Sequence, residues 1–143
     1  MIIHTASEGI SLSKQLENES ADFYQKLANQ YEKDSGIFLS YAGENKKNTT
    51  QVERSYYGVI TDAIEGCFAF NIDTENYTLS LDLADGADYS DVLNQAIDME
   101  NKIIQFYETA AEQSRSLLAD VPRAFTLIAR KRKSRIEKLN SLL

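Results

Sequence analysis

Two glutamates stand where helical spacing calls for apolar side chains: Glu17 in "LENESADFY" and Glu100 in "MENKIIQFY". Each is followed seven residues later by a tyrosine, Tyr24 and Tyr107, with a phenylalanine just ahead of it. Seven residues make two helical turns, so glutamate and tyrosine share one face. An inward carboxylate has three common uses: a metal ligand, a catalytic acid or base, or one half of a buried ion pair. Unpaired, its burial costs too much to persist. The plain alternative is a stripe misread by one position, with Glu17 exposed. The repeat weighs against it, since the same error would have to occur twice.

Asn18, Phe23, Ala28 and Gln30 recur as Asn101, Phe106, Ala111 and Gln113, all at the offset that separates Glu17 from Glu100. The chain reads as duplicated, with two helix–turn–helix halves joined by a crossover. Apolar periodicity places helices at about residues 7–33, 37–65, 91–118 and 121–142. The first inner stripe is Leu16, Glu17, Ser20, Tyr24, Leu27 and Tyr31; the second is Phe38, Tyr41, Asn45, Asn48, Val52, Tyr56, Val59 and Ala63. The third is Leu93, Ala96, Glu100, Ile103, Tyr107, Ala110 and Leu117; the fourth is Phe125, Ile128, Arg132, Arg135, Leu139 and Leu142. Gly36 in "DSG" is expected to cap the first helix and Gly66 to close the second. Ser90 is expected to cap the third, with Asp91 in its first turn, and Asp120 the fourth, with Pro122 tolerated just inside.

Short links make each helix pair an antiparallel hairpin. The segment 67–89 is too long for a turn and is expected to cross the length of the bundle. "CFAFNI" and the alternation of Tyr77, Leu79, Leu81 and Leu83 suggest an extended stretch or a small β-hairpin inside it. The expected fold is all-α: one domain over residues 1–143, an antiparallel four-helix bundle with a long crossover between helices two and three.

Composition narrows the function classes. At 143 residues, with 43% hydrophobic and 26% charged, the chain suits a globular fold rather than disorder. Its net charge of −7 argues against nucleic acid or an anionic membrane as the main partner. "RKRKSR" (Arg130 to Arg135) spreads around one helix and does not make a nucleic-acid patch. Cys67 is the single cysteine, so no intrachain disulfide or CxxC metal module exists, and it reads as a small buried hydrophobe rather than a redox thiol. A reducing cytoplasm is the expected location. No signal peptide or membrane-spanning run is read. The aromatic end "SYYG" (Ser55 to Gly58) is the expected contact of a homodimer.

The repeated motif resembles the first and third helices of the rubrerythrin branch of the ferritin-like superfamily, over about residues 7–142. The resemblance implies a ferritin-like bundle with a di-iron centre, one glutamate from each of those helices and Glu-x-x-His from each of the other two. Such centres reduce peroxide, oxidise iron or activate oxygen. Glu17 and Glu100 match, as do Tyr24 and Tyr107, which in the family bond to the ligating carboxylates. Helix two departs: the bridging glutamate falls on Asn45 and the histidine on Asn48. Helix four departs further, to Arg132 and Arg135. A rubredoxin-like iron domain, common in the family, is also missing from this sequence.

Amide oxygens are weak ligands, and guanidinium does not ligate. The one histidine, His4, lies on no inner stripe. Slipping the register does not restore the site, because Glu44 sits about 100° around the helix from Asn45 and Glu137 falls beyond Arg135. The expectation is a centre in which Glu17 and Glu100 face Arg132 and Arg135 with balanced charge, Asn45 and Asn48 filling the remaining hydrogen bonds. Its alternative has the arginines snorkelling to solvent from a frayed helix. Two functions follow: a non-catalytic binding or structural bundle, or an oxidoreductase with an altered or mononuclear iron or manganese site on Glu17 and Glu100.

Overall fold

A computed structural model describes residues 1–58, 66–116 and 118–143. Four long helices, α1 (Ala6–Gln30), α2 (Ser35–Tyr57), α3 (Tyr89–Ser114) and α4 (Val121–Leu142), form an antiparallel bundle with a long crossover between α2 and α3. The expected continuation of helix two to Glu65, with Val59 and Ala63, lies outside the described residues, as does Leu117.

The helix boundaries have local causes, several of which differ from the sequence expectation. Thr5 caps α1 in a capping box: its hydroxyl accepts from Glu8 N at 3.2 Å, and the Glu8 carboxylate accepts from Thr5 N at 3.0 Å. Asp88, not Ser90, caps α3, in a second box with Asp91. Asp120 stands at the N-cap position of α4 but makes no side-chain cap bond, because its backbone is already helical (φ −82°, ψ −8°). Gly36 does not cap α1. That helix ends where Tyr31 leaves helical geometry (φ −122°, ψ 83°), and after a 3-10 turn at Glu32–Asp34 the next helix has begun by Ser35. The left-handed glycine is Gly86 (φ 74°), just before the α3 cap.

α1 packs along α2 and α3 along α4, while α2 meets α4 and α1 meets α3 across the bundle. Leu16, Phe23, Leu27, Phe38, Leu93, Ile103, Phe106, Phe125, Ile128 and Leu139 are all buried between them.

The crossover does contribute a strand, β2 (Phe68–Asp73), to a small antiparallel sheet, but its partner is the N-terminal β1 (Ile2–Thr5). Ile3 faces Ile72 and Thr5 faces Phe68, with an irregularity between. Residues 78–84 make no strand pairing among the described residues, and α3 side chains bond three of their carbonyls instead. Gln95 Nε2 donates to Ser80 O at 2.8 Å and Asp82 O at 3.0 Å, and Lys102 Nζ donates to Thr78 O at 2.8 Å. Gln113 holds β2 to α3, accepting from Asn71 N at 2.8 Å and donating to Asn71 O at 3.2 Å. Phe70 packs on Phe125 with ring centroids 6.5 Å apart, over Gly9, where an added Cβ would overlap the Phe70 ring. Among the described residues the crossover thus packs mainly on α1 and α3 rather than on the α2–α4 side. Among the described residues, no helix is long and apolar enough to cross a membrane.

Candidate functional site

Halfway along the bundle the core turns polar. α1 supplies Ser13, Glu17, Ser20 and Tyr24, and α2 supplies Asn45 and Asn48; Glu100 and Tyr107 come from α3, Arg132 and Arg135 from α4, and all but the tyrosines count among the buried polar or charged side chains. Spacings of three, four and seven residues bring them inward on their own helices.

Arg132 is the hub. Its guanidinium is 0% exposed; Nη2 donates to Glu17 Oε2 at 2.5 Å and Nη1 to Glu100 Oε2 at 2.7 Å. It also donates to Asn45 Oδ1 at 3.1 Å and Ser20 Oγ at 3.5 Å. One planar fork therefore joins carboxylates from both hairpins. Arg135 donates through Nη1 to Glu100 Oε1 at 3.2 Å and through Nη2 to Asn45 Oδ1 at 2.8 Å. Its guanidinium carbon sits 4.8 Å from the Tyr41 ring centroid and 5.6 Å from that of Tyr24. Both arginines point into the bundle, and neither snorkels.

The tyrosines bond reciprocally. Tyr24 of α1 donates to Glu100 Oε1 at 2.7 Å, and Tyr107 of α3 donates to Glu17 Oε1 at 2.8 Å. With its own proton used there, Tyr107 accepts from Ser13 Oγ at 3.0 Å. Asn48 Nδ2 donates to Glu17 Oε1 at 3.2 Å, and Asn45 Nδ2 to Ser20 Oγ at 3.1 Å. Arg132 Nε and Asn48 Oδ1 are buried and have no hydrogen-bond partner among the described residues.

Electrostatics follow from this geometry. Burial pushes the Glu100 carboxyl upward, but Arg132 and Arg135 together with the Tyr24 hydroxyl outweigh it and hold the pKa below the usual value. Burial is likewise the largest influence on Arg132 and would weaken its charge; Glu100 and Glu17 reverse it, so the guanidinium stays protonated. Burial, then the adjacent carboxylate, raises the phenols well above their ordinary range, with Glu100 acting on Tyr24 and Glu17 on Tyr107. At neutral pH the tyrosines serve as fixed hydrogen-bond donors.

Comparison with protein-family models, curated proteins and solved structures finds no match for the chain. Its likeness to ferritin-like folds rests on shape: an antiparallel four-helix bundle of two hairpins with a crossover.

The donor set does not fit a di-iron centre. A guanidinium stands between Glu17 and Glu100, and amides occupy the α2 positions. Among the described residues, no three His, Cys, Asp or Glu side chains gather to hold a metal ion. His4 stacks on Phe68 at the small sheet, with centroids 5.3 Å apart.

One participant escapes a reading by helical angle. Glu44 accepts from Arg135 Nε at 3.2 Å and Nη2 at 3.0 Å, and the Tyr41 carbonyl accepts from Nη2 at 3.2 Å. The long arginine reaches around α2 to a carboxylate whose side chain is 34% exposed. The expected charge balance is therefore corrected: three carboxylates face two guanidiniums, the third where water reaches it. A guanidinium has five donors, and that surplus over Glu100 and Asn45 was the available signal.

Proposed function

We propose that this chain is a rubrerythrin-like member of the ferritin-like bundles in which an Arg/Glu/Asn network has replaced the di-iron site. It then works as a non-catalytic binding or structural bundle. The bridge from Glu17 through Arg132 to Glu100 carries this reading, because it gives both carboxylates a permanent cationic partner. A metal ion binding there would have to displace Arg132 and approach against the positive charge of Arg135. On this reading the chain is cytoplasmic, and it pairs as a homodimer through the Ser55–Gly58 end, where Tyr57 is 63% exposed.

Metal analysis of protein purified without chelators tests the proposal. The wild type should carry no stoichiometric iron or manganese, and the variant N45E/N48H/R132E/R135H should gain binding of Fe(II) or Mn(II). Stoichiometric metal at the wild-type centre, or equal metal content in both proteins, would overturn it in favour of an oxidoreductase with an altered site.

A further inference from the structure

Surface charge is divided between the two open sides of the bundle. Lys46, Lys47 and Arg54 of α2 and Lys131 and Lys138 of α4 are exposed, and none has a carboxylate within ion-pair distance among the described residues. Lys131 Nζ donates to Gln51 Oε1 at 3.3 Å, which ties the outer edge of α4 to α2. Lys47, Gln51 and Arg54 follow one another at helical spacing along that seam, and Lys138 lies two turns beyond Lys131 on the same face of α4. On α2 the carboxylates closest to these cations in sequence are engaged, Glu44 with Arg135 and Glu53 with Lys14, while on α4 Glu137 beside Lys138 is exposed and makes no ion pair among the described residues. In a chain of net charge −7, this side is cationic.

The opposite side carries an excess of acid, with Lys26 and Lys102 as the exposed bases beside it. The crossover over α1 and α3 exposes Glu75, Asp82, Asp85 and Asp88, and α3 beside it exposes Asp91 and Asp98. None of the six makes an ion pair among the described residues. Asp88 and Asp91 use oxygens in the α3 cap.

We propose that the α2–α4 face docks the crossover face of a second copy of this chain, giving head-to-tail association. The surface with matching chemistry is the chain's own, since its acidic side faces away from its basic one. Two different patches meet, so the contact is heterologous and each copy keeps one face free for the next. This contact is separate from the Ser55–Gly58 end and does not depend on what the buried centre does. Exposed charges attract over a distance set by salt, about 8 Å at 0.15 M and about 30 Å at 0.01 M, so association should grow as salt is removed.

Sedimentation velocity over a range of protein concentrations tests this, at about 0.01 M and about 1 M salt, on the wild type and on K47E/R54E/K131E and E75K/D82K/D85K. All six substituted side chains are exposed, and circular dichroism checks the fold. The wild type should rise in mass with concentration at low salt and lose that rise at high salt. Either triple variant alone should lose it, and an equimolar mixture of the two should regain it, because each supplies the face the other has reversed. Salt-independent mass for the wild type would overturn the proposal, as would variants that still associate alone or a mixture that does not. Wild type that binds a duplex DNA oligonucleotide through Lys47, Arg54 and Lys131 while its own mass ignores salt would assign the face to a polyanion, and the proposal would be wrong.

Discussion

Replacing Arg132 by methionine removes the charge at the hub while keeping an unbranched side chain of good helix propensity. Glu100 would retain Arg135 at 3.2 Å and Tyr24 at 2.7 Å. Glu17 would retain only neutral donors, Tyr107 at 2.8 Å and Asn48 at 3.2 Å. The cost therefore concentrates on Glu17, a buried carboxylate stripped of its cation, and breaking such a pair costs about 3–5 kcal/mol. Urea denaturation at pH 7 measures it. Adding Glu17→Gln should recover most of the loss, because the remaining buried group is then neutral and still hydrogen-bonded. Loss below about 1 kcal/mol, the range of an exposed pair, or no recovery in the double variant, would refute the argument.

The pH dependence gives an independent check. Against its burial, wild-type Glu100 is held low by Arg132 and, after it, Arg135, so its contribution is present above the unfolded value of about 4.3 and disappears as pH falls through the folded one. Arg132→Met removes the larger of those two influences. The stability gap between wild type and Arg132→Met should be widest near neutrality and narrow on acidification. A gap independent of pH would point to packing rather than charge.

Tyr107→Phe removes the donor to Glu17 and leaves the Ser13 hydroxyl without its acceptor; it should cost about 1–3 kcal/mol in urea denaturation with the fold intact by circular dichroism. Gly9→Ala pushes a methyl into the buried Phe70 ring; overpacking of this kind costs about 1–3 kcal/mol, and a thermal melt unchanged from wild type would contradict the packing of β2 on α1.

The inward glutamates and tyrosines were legible because the pattern is written twice, and a helix that repeats Glu-x6-Tyr must orient both residues the same way. Asn45, Asn48, Arg132 and Arg135 were legible from their i, i+3 spacing on otherwise apolar stripes. Glu44 was not, since helical angle predicts where a Cβ points and says nothing of how far an arginine on another helix reaches. The partner of β2 was hidden for a different reason. β1 is four residues long and pairs with a segment far along the chain, and no local signal encodes that choice. Where two capping residues compete, as at Asp88 and Ser90, the capping box decides; Asp91 stands three residues after Asp88 and completes it.

The network also shows where the likeness of the two halves ends. Tyr24 on α1 serves Glu100 on α3, and Tyr107 on α3 serves Glu17 on α1, so this half of the site is reciprocal. Asn45 and Asn48 stand on α2 at the same i, i+3 spacing as Arg132 and Arg135 on α4, yet one pair is neutral and the other doubly cationic. A symmetric choice would fail either way. Guanidiniums on both helices would put four cations against two buried carboxylates, and amides on both would leave Glu17 and Glu100 without a countercharge. Confining the cations to α4 matches two guanidiniums to the two fully buried carboxylates, and the amide oxygen of Asn45 accepts from both. Glu44, at the edge where water reaches, takes up the remaining donors of Arg135 without adding a fully buried charge. The asymmetry of α2 and α4 is thus what allows the symmetric pair of glutamates to stay buried.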